Sequence, residues 1–336
     1  MKKKVILAAA TAGLIITAHS AIAAPRVLRF TPLSEPGTAP YDQFYKPWAE
    51  KITADAQGAL RIEVSPGMAI ANIRNVYDQV MNNVVQVGFV LFNYVSGKFP
   101  YAEVAGLPNI SDNAAIGSAA LWRLYKSGAL GSEFNQARPL LLVALPQSLV
   151  HLAKAPTTLR NLDGLKLVAP TEITALAAKV MGGVPLTFPS PDAYEAINRG
   201  TADGTILSWN VYFTFKLDEV THYHINQSMG TAAGMIFMAR KVYDGLSPAA
   251  KQAIDENSGE LASRKWGAWW DADNARGLAA AEHDPKQKVV TLAPELKTEW
   301  THRLDSAVAQ WEKSRPGVDK VIAEYKRFVA AVKAAQ

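Results

Sequence analysis

One order of elements is written twice in this chain, and that duplication constrains the fold more than any other feature. Near the start, Val27-Leu28-Arg29-Phe30-Thr31 has strand character. Tyr41, Phe44, Tyr45, Trp48 and Ile52 then recur at helical spacing, with Pro47 expected to kink the helix. Arg61-Ile62-Glu63-Val64 alternates as a strand, residues 72–82 carry Ile73, Val76, Tyr77 and Val80 on one helical face, and residues 84–92 are almost wholly apolar. The unit is strand, helix, strand, helix, strand. It returns with a strand over 165–169 and a helix that places Ile173, Leu176, Ala177 and Val180 on one face, followed by a strand over 185–188. Ser190-Pro191-Asp192 opens the next helix, with an N-cap hydroxyl, a proline at the first helical position and a carboxylate favoured by the helix dipole. Gly200 closes it and a strand follows over 205–209. Strands alternating with helices imply helix-covered sheets, and the repetition implies two α/β lobes.

The remaining segments read as connections and braces. Residues 114–126 form a helix closed by Gly128, 140–145 an apolar strand that bridges the lobes, and 234–239 a returning strand. Ser247-Pro248 opens a helical stretch with no breaker before Pro285; at 1.5 Å per residue it reaches roughly 50 Å, long enough to brace both lobes. A helix from Pro294 carries Trp300, Leu304, Val308 and Trp311, and another closes the chain. The resulting division is 1–23 as a signal peptide, 24–145 as mainly the first lobe, 146–240 as mainly the second lobe with crossing strands, and 241–336 as the bracing and C-terminal helices.

The chain begins MKKKVILAAATAGLIITAHSAIAAP. Three lysines, an apolar run over 5–16 and the small-x-small site Ala21-Ile22-Ala23 read as a cleaved secretory signal, and about a dozen apolar residues fall short of the roughly 20 that span a bilayer. Export to the periplasm is the expectation. Loss of Lys2, Lys3 and Lys4 leaves 32 basic residues, 35 less three, against 30 acidic ones. No dense basic block with interleaved aromatics remains, which argues against nucleic acid as a partner. Cysteine is absent, so no disulfide, thiol nucleophile or thiolate metal site is available and stability rests on a core, for which 49% hydrophobic residues suffice.

Enzyme signatures are poor: the sequence has no G-x-S-x-G elbow, P-loop, H-E-x-x-H, or G-x-G-x-x-G after a strand. His222 and His224, with Glu219 upstream, form the best metal-like cluster, because alternate residues of a strand share a face; without an obvious third ligand, a surface or hinge pair is the other reading. No cofactor or metal is expected. Trp266, Trp269 and Trp270, inside the long helical stretch, read as packing. Trp209 and Tyr212 follow a central strand, and open α/β sheets bind ligands beyond the carboxyl ends of strands, so both are candidates for pocket or core. Thr171 reads as the N-cap of a helix whose first N–H groups favour a negative group, or as part of a loop packed between lobes.

Four stretches in order, GKFPYAEVAGLP (97–108), NLDGLKL (161–167), AYEAINRGTADG (193–204) and YDGLSPAAK (243–251), resemble the periplasmic solute-binding proteins of tripartite ATP-independent periplasmic (TRAP) transporters, the DctP-like family, over nearly the whole chain after the signal. The resemblance implies a two-lobe periplasmic binding protein, type II-like, with crossing strands and a long lobe-spanning helix. It implies a receptor, not an enzyme, that closes on a small organic solute and delivers it to membrane permease subunits. Most of that family end the strand after GLK with an arginine that grips the ligand carboxylate; here the residue is Val168. Replacement contacts are expected from Gln147, Ser148 and His151 and from the helix N-terminus at Thr171, or from Phe92, Tyr94, Trp209 and Tyr212 stacking on an apolar or aromatic body. Asn93 sits between Phe92 and Tyr94 at the end of the first lobe's third strand, and Glu35 in the loop after its first strand. The expected solute is an organic acid with an apolar or aromatic body. A binding protein of another importer or of a sensor system, and a periplasmic metal-dependent enzyme built on Glu219, His222 and His224, are the alternatives.

Overall fold

The computed structural model describes residues 25–68, 70–95 and 97–335, so the expected signal peptide lies outside the described residues. Eleven strands follow in chain order: β1 Arg26–Thr31, β2 Leu60–Val64, β3 Val87–Leu91, β4 Ala137–Ala144, β5 Leu149–Leu152, β6 Lys166–Val168, β7 Val184–Leu186, β8 Gly204–Leu207, β9 Tyr223–Ile225, β10 Ala233–Ala239 and β11 Lys288–Val290. They make two sheets, ordered β2-β1-β3-β10-β4 and β11-β9-β5-β8-β6-β7. β1 pairs in parallel with β2 and β3, and β6 with β7 and β8, as helical crossovers require. β5 and β10 are the antiparallel members through which the chain enters and leaves the second lobe. The returning strand therefore belongs to the first sheet, and β11, far along the chain, to the second.

Alternation along the strands sorts side chains into separate cores. On β10, Met235 and Phe237 enter one cluster with the helices Ala114–Ser127 and Val318–Ala334; Ile236 and Met238 enter another with Lys46–Asp55 and Pro248–Glu256. A strand buried on both faces needs an apolar residue at every position, and β10 is buried throughout. β4 lies at the margin of its sheet, where unpaired N–H groups would be costly. Two serines answer them: Ser118 Oγ accepts from Ala144 N and Ser263 Oγ from Leu142 N, both at 3.0 Å.

Several boundaries move for identifiable reasons. Pro47 starts a new helix instead of kinking one: Tyr41–Tyr45 is a widened π turn and Lys46–Asp55 the α-helix, because Pro47 supplies no N–H to the preceding turn. The helix expected over 72–82 is confined to Val76–Met81, and β3 ends at Leu91, beyond which Phe92–Tyr94 is a 3-10 turn. The long helix breaks at Gly259, whose φ of +98° an L side chain rarely adopts, leaving Pro248–Glu256 and Glu260–His283. Its 24 residues span about 36 Å rather than 50 Å.

That is still enough to brace both lobes. On the first, a Cβ at Gly267 would lie 2.3 Å from Ala114 O, and Asp271 accepts from Ala114 N and Ala115 N at 2.8 and 2.9 Å, capping the neighbouring helix from outside. On the second, a Cβ at Gly277 would lie 2.5 Å from Trp209 O, and Asn274 Oδ1 accepts from Asn210 N at 3.2 Å. Helix Pro294–Lys313 does likewise, with Trp300 and Leu304 in the second lobe's core and Trp311 in the first's.

Candidate functional site

Two non-helical segments, 145–148 and 226–232, run between the sheets, and they are tied together. Leu145 N donates to Ala232 O at 2.9 Å, Ser148 N to Gly230 O at 2.8 Å and Thr231 Oγ1 to Pro146 O at 2.7 Å. Above them lies a cavity of about 100 Å³. Leu145, Ser148, Thr231 and Ala232 come from the passes; Ile73, Leu91, Asn93 and Tyr94 from the first lobe; Pro170, Thr171, Thr174, Ser190, Pro191, Leu207, Ser208, Val211 and Phe215 from the second. Leu91 ends β3 and Leu207 ends β8, so the cavity lies beyond the carboxyl ends of strands.

Among the described residues, none that lines the cavity is charged. Its polar groups are hydroxyls and one carboxamide, several of them committed to the protein. Thr171 and Thr174 form a reciprocal capping box on helix Glu172–Val180, which occupies two of the N–H groups expected to meet an anion. Ser208 Oγ bonds Asn210 Oδ1 and Thr231 Oγ1 bonds the backbone.

The lobes touch across this cavity. Asn93 Nδ2 donates to Pro170 O at 3.2 Å, and Ser190 N to Tyr94 Oη at 3.4 Å. Alongside, Arg315 grips Glu172 with Nη2 at 2.6 Å and Nη1 at 3.1 Å, and reaches Glu103 at 3.3 Å. Glu103 belongs to the first lobe's 3-10 segment Ala102–Gly106, and Arg315 stacks on Trp311 of the first lobe's core, so its bond to Glu172 crosses between lobes. Burial pushes the Glu103 carboxyl up to about 7 although Arg315 pulls it down. Exposed Arg74 and Asp192 make a second, looser link at 3.7 Å.

Of the residues singled out in the sequence, Asn93, Tyr94, Ser148 and Thr171 meet at the cavity. Phe92 turns away into the first lobe's core against Phe99 and Phe134. Gln147 lies on a crossing segment, where Oε1 accepts from Ser228 Oγ at 2.7 Å. Val168 is fully buried within the second lobe; the strand period turns it toward Ala193 and Trp209, and it is absent from the cavity wall. His151 is fully buried as well. Its Nδ1 lies 2.9 Å from His224 Nδ1, Nε2 lies 3.2 Å from Leu207 O, and the ring stacks on Tyr212 and meets the edge of Trp209. Trp209 and Tyr212 thus pack around a histidine pair, and Trp209 borders a different crevice, the one that holds Glu35 with Asp273 and Arg276. Burial drives His151 well below the usual imidazole range and His224 down to about 4.

The Glu219, His222 and His224 cluster does not assemble. β9 begins only at Tyr223, so His222 is exposed while His224 faces inward, and Glu219 accepts from the Tyr194 hydroxyl. Among the described residues no group of three or more His, Asp or Glu is placed to hold a metal. Two wider depressions, of about 740 and 770 Å³, are open hollows away from the second sheet. Sequence reasoning missed Thr174, Ser190, Ser208 and Phe215. Thr174 stood at capping-box spacing from Thr171 and Ser208 directly after a strand, whereas nothing local linked Arg315 to Glu103, 212 positions away.

Two α/β lobes joined by paired crossing segments, braced by helices and enclosing one small cavity at their strand ends define a solute-binding protein. The chain belongs to the DctP family, described as bacterial extracellular solute-binding protein, family 7, whose profile matches residues 34–314. It is similar in structure to a TRAP solute-binding protein of Rhodoferax ferrireducens T118 solved with copurified benzoate: 26% identity, TM-score 0.84, covering 92% of this chain and 99% of that one. A TRAP periplasmic solute-binding protein of Bordetella bronchiseptica, with bound (R)- and (S)-mandelate, shares 23% identity at TM-score 0.81 over 92% and 100%. The C4-dicarboxylate-binding periplasmic protein DctP of Rhodobacter capsulatus is 23% identical over 353 residues, 98% and 96% of the two chains. The family is one of solute receptors rather than enzymes.

Proposed function

We propose that this chain is the periplasmic receptor of a TRAP-type transporter, that it closes its lobes on a monocyclic aromatic acid, and that it hands the solute to membrane permease subunits. The observation that carries the reading is the cavity. At about 100 Å³ it is near the 150 Å³ scale of a cavity that holds a benzene ring and far below the several hundred cubic ångströms typical of drug-sized sites. Leu91, Leu145, Leu207, Val211 and Phe215 offer an apolar surface to a ring, and the absence of a lining arginine leaves the carboxylate to neutral donors such as the hydroxyls of Tyr94, Ser148 and Ser190. Benzoate in the R. ferrireducens relative supports the same ligand class.

Closure follows from geometry. A solute touching both lobes binds the closed form better than the open one and shifts the equilibrium toward it. Isothermal titration against monocyclic aromatic acids, with C4-dicarboxylates and hexuronates as comparison titrants, tests the proposal, together with mass spectrometry of solute carried by natively purified protein. Binding of aromatic acids alone is the expected result. Preference for dicarboxylates or sugar acids overturns the ligand class, and turnover of any titrant overturns the receptor reading.

A further inference from the structure

We propose that Asn93 selects the ligand by its hydrogen-bonding character, so that the receptor favours an aromatic acid whose ring carries an O–H or N–H donor over the isostere that lacks one. The inference rests on the monocyclic ligand class proposed above and deepens it.

A side-chain amide can usually turn over, but here it is fixed. Asn93 Nδ2 donates to Pro170 O at 3.2 Å, and the flipped amide would set two oxygens against each other. Oδ1 is thereby a committed acceptor; it is buried and has no hydrogen-bond partner among the described residues. The backbone around it is equally constrained. Asn93 occupies the 3-10 turn Phe92–Tyr94, Phe92 is locked against Phe99 at 4.9 Å, and Tyr94 Oη meets Ser190 N across the cleft. Because the bond to Pro170 spans the lobes, closure itself fixes the acceptor at the cavity wall.

The other polar groups on that wall have a different character. A hydroxyl rotates and can donate or accept, so Tyr94, Ser148 and Ser190 adapt to a carboxylate. A fixed carbonyl oxygen cannot adapt, and a bound ligand without a donor leaves it unpaired in a place that water leaves on closure. Sites built to hydrogen-bond a particular group reject the analogue that lacks it far more strongly than apolar pockets reject a change of size. A void of about 10 Å³, bordered by Asn93, Glu103 and Thr171, adjoins the cavity, and this near-water-sized space defines the competing case: a water serving Oδ1 would make the receptor indifferent to ring donors.

The experiment is calorimetry on the wild-type protein and on Asn93→Leu with benzoate, 3- and 4-hydroxybenzoate, 3- and 4-aminobenzoate and the matching methoxybenzoates. In the wild type, at least one hydroxy or amino acid is expected to bind about tenfold or more tightly than both benzoate and its methoxy counterpart. Asn93→Leu also loses the bond to Pro170, so every acid binds more weakly, but the ratio falls to within about twofold. Wild type that binds all of these acids without distinguishing donors overturns the role of Asn93 alone, as does a variant that keeps the ratio. If none binds to wild type, the ligand class falls and this inference with it. The wild-type ratio decides the matter should the variant prove unstable.

Discussion

Replacing Arg315 with alanine separates the energy of lobe closure from that of ligand contact, because Arg315 lies beside the cavity and not among the residues lining it. Two charge-assisted hydrogen bonds, at 2.6 and 3.1 Å, join it to Glu172 of the other lobe. Bonds of this kind contribute about 1.5–3 kcal/mol when shielded. The Glu172 side chain is 49% exposed, so screening reduces the cross-lobe share to about 1 kcal/mol. If the contact exists only in the closed form, its loss weakens solute binding about fivefold without any change in the cavity wall. Glu103 loses the charge that holds its carboxyl down and moves above its present value of about 7. Arg315→Lys keeps the charge but not the fork that grips both carboxylate oxygens, and should fall between wild type and alanine. Calorimetry with a monocyclic aromatic acid reads the affinities, and thermal unfolding reads stability. Unchanged affinity in the alanine variant, with or without a fall in unfolding temperature, refutes the cross-lobe assignment.

Three further outcomes follow from the packing. Gly277→Val forces a branched side chain against Trp209 O, which a bare Cβ would already approach to 2.5 Å, and should cost about 1–3 kcal/mol in urea unfolding; a neutral result would mean that the bracing helix is not in close contact there. Val168→Arg places a charge inside a packed apolar cluster, so a loss of several kcal/mol without any gain in carboxylate affinity is expected, and stable protein with tighter acid binding would contradict the buried placement. His224 has a folded pKa of about 4, below its unfolded value near 6.5, so its contribution to stability is complete above pH 6.5 and is lost as pH falls toward 4. Between pH 6.5 and 5 the wild type should therefore lose about 2 kcal/mol more than His224→Gln, and equal losses in urea titrations would count against a neutral buried imidazole.

The two-lobe plan was legible because it depends on periodicity, and a short continuous apolar run such as residues 233–239 suits a strand buried on both faces. The brace was legible as a long helical stretch, but not its break, since Gly259 among other glycines carries no mark of its backbone angle. Residues that line the cavity were readable where they sit at strand ends or helix caps, as Asn93, Tyr94 and Thr171 do. A residue's face was not readable where the strand period decides it: Val168 and His151 are buried in the second lobe and do not line the cavity, although their neighbours in the sequence do. The clamp of Glu103, Arg315 and Glu172 was invisible because three distant segments meet only in the folded chain.

The central claim, that the two lobes close on a bound solute, is tested most directly by a distance across the cleft. With no native cysteine, Asn82→Cys and Arg199→Cys accept one spin label each, at exposed positions on opposite lobes. Pulsed electron–electron resonance should give a longer or broader distribution without solute and a single shorter distance with the aromatic acid that binds most tightly. Superimposable distributions in the two samples, at saturating solute, would contradict closure.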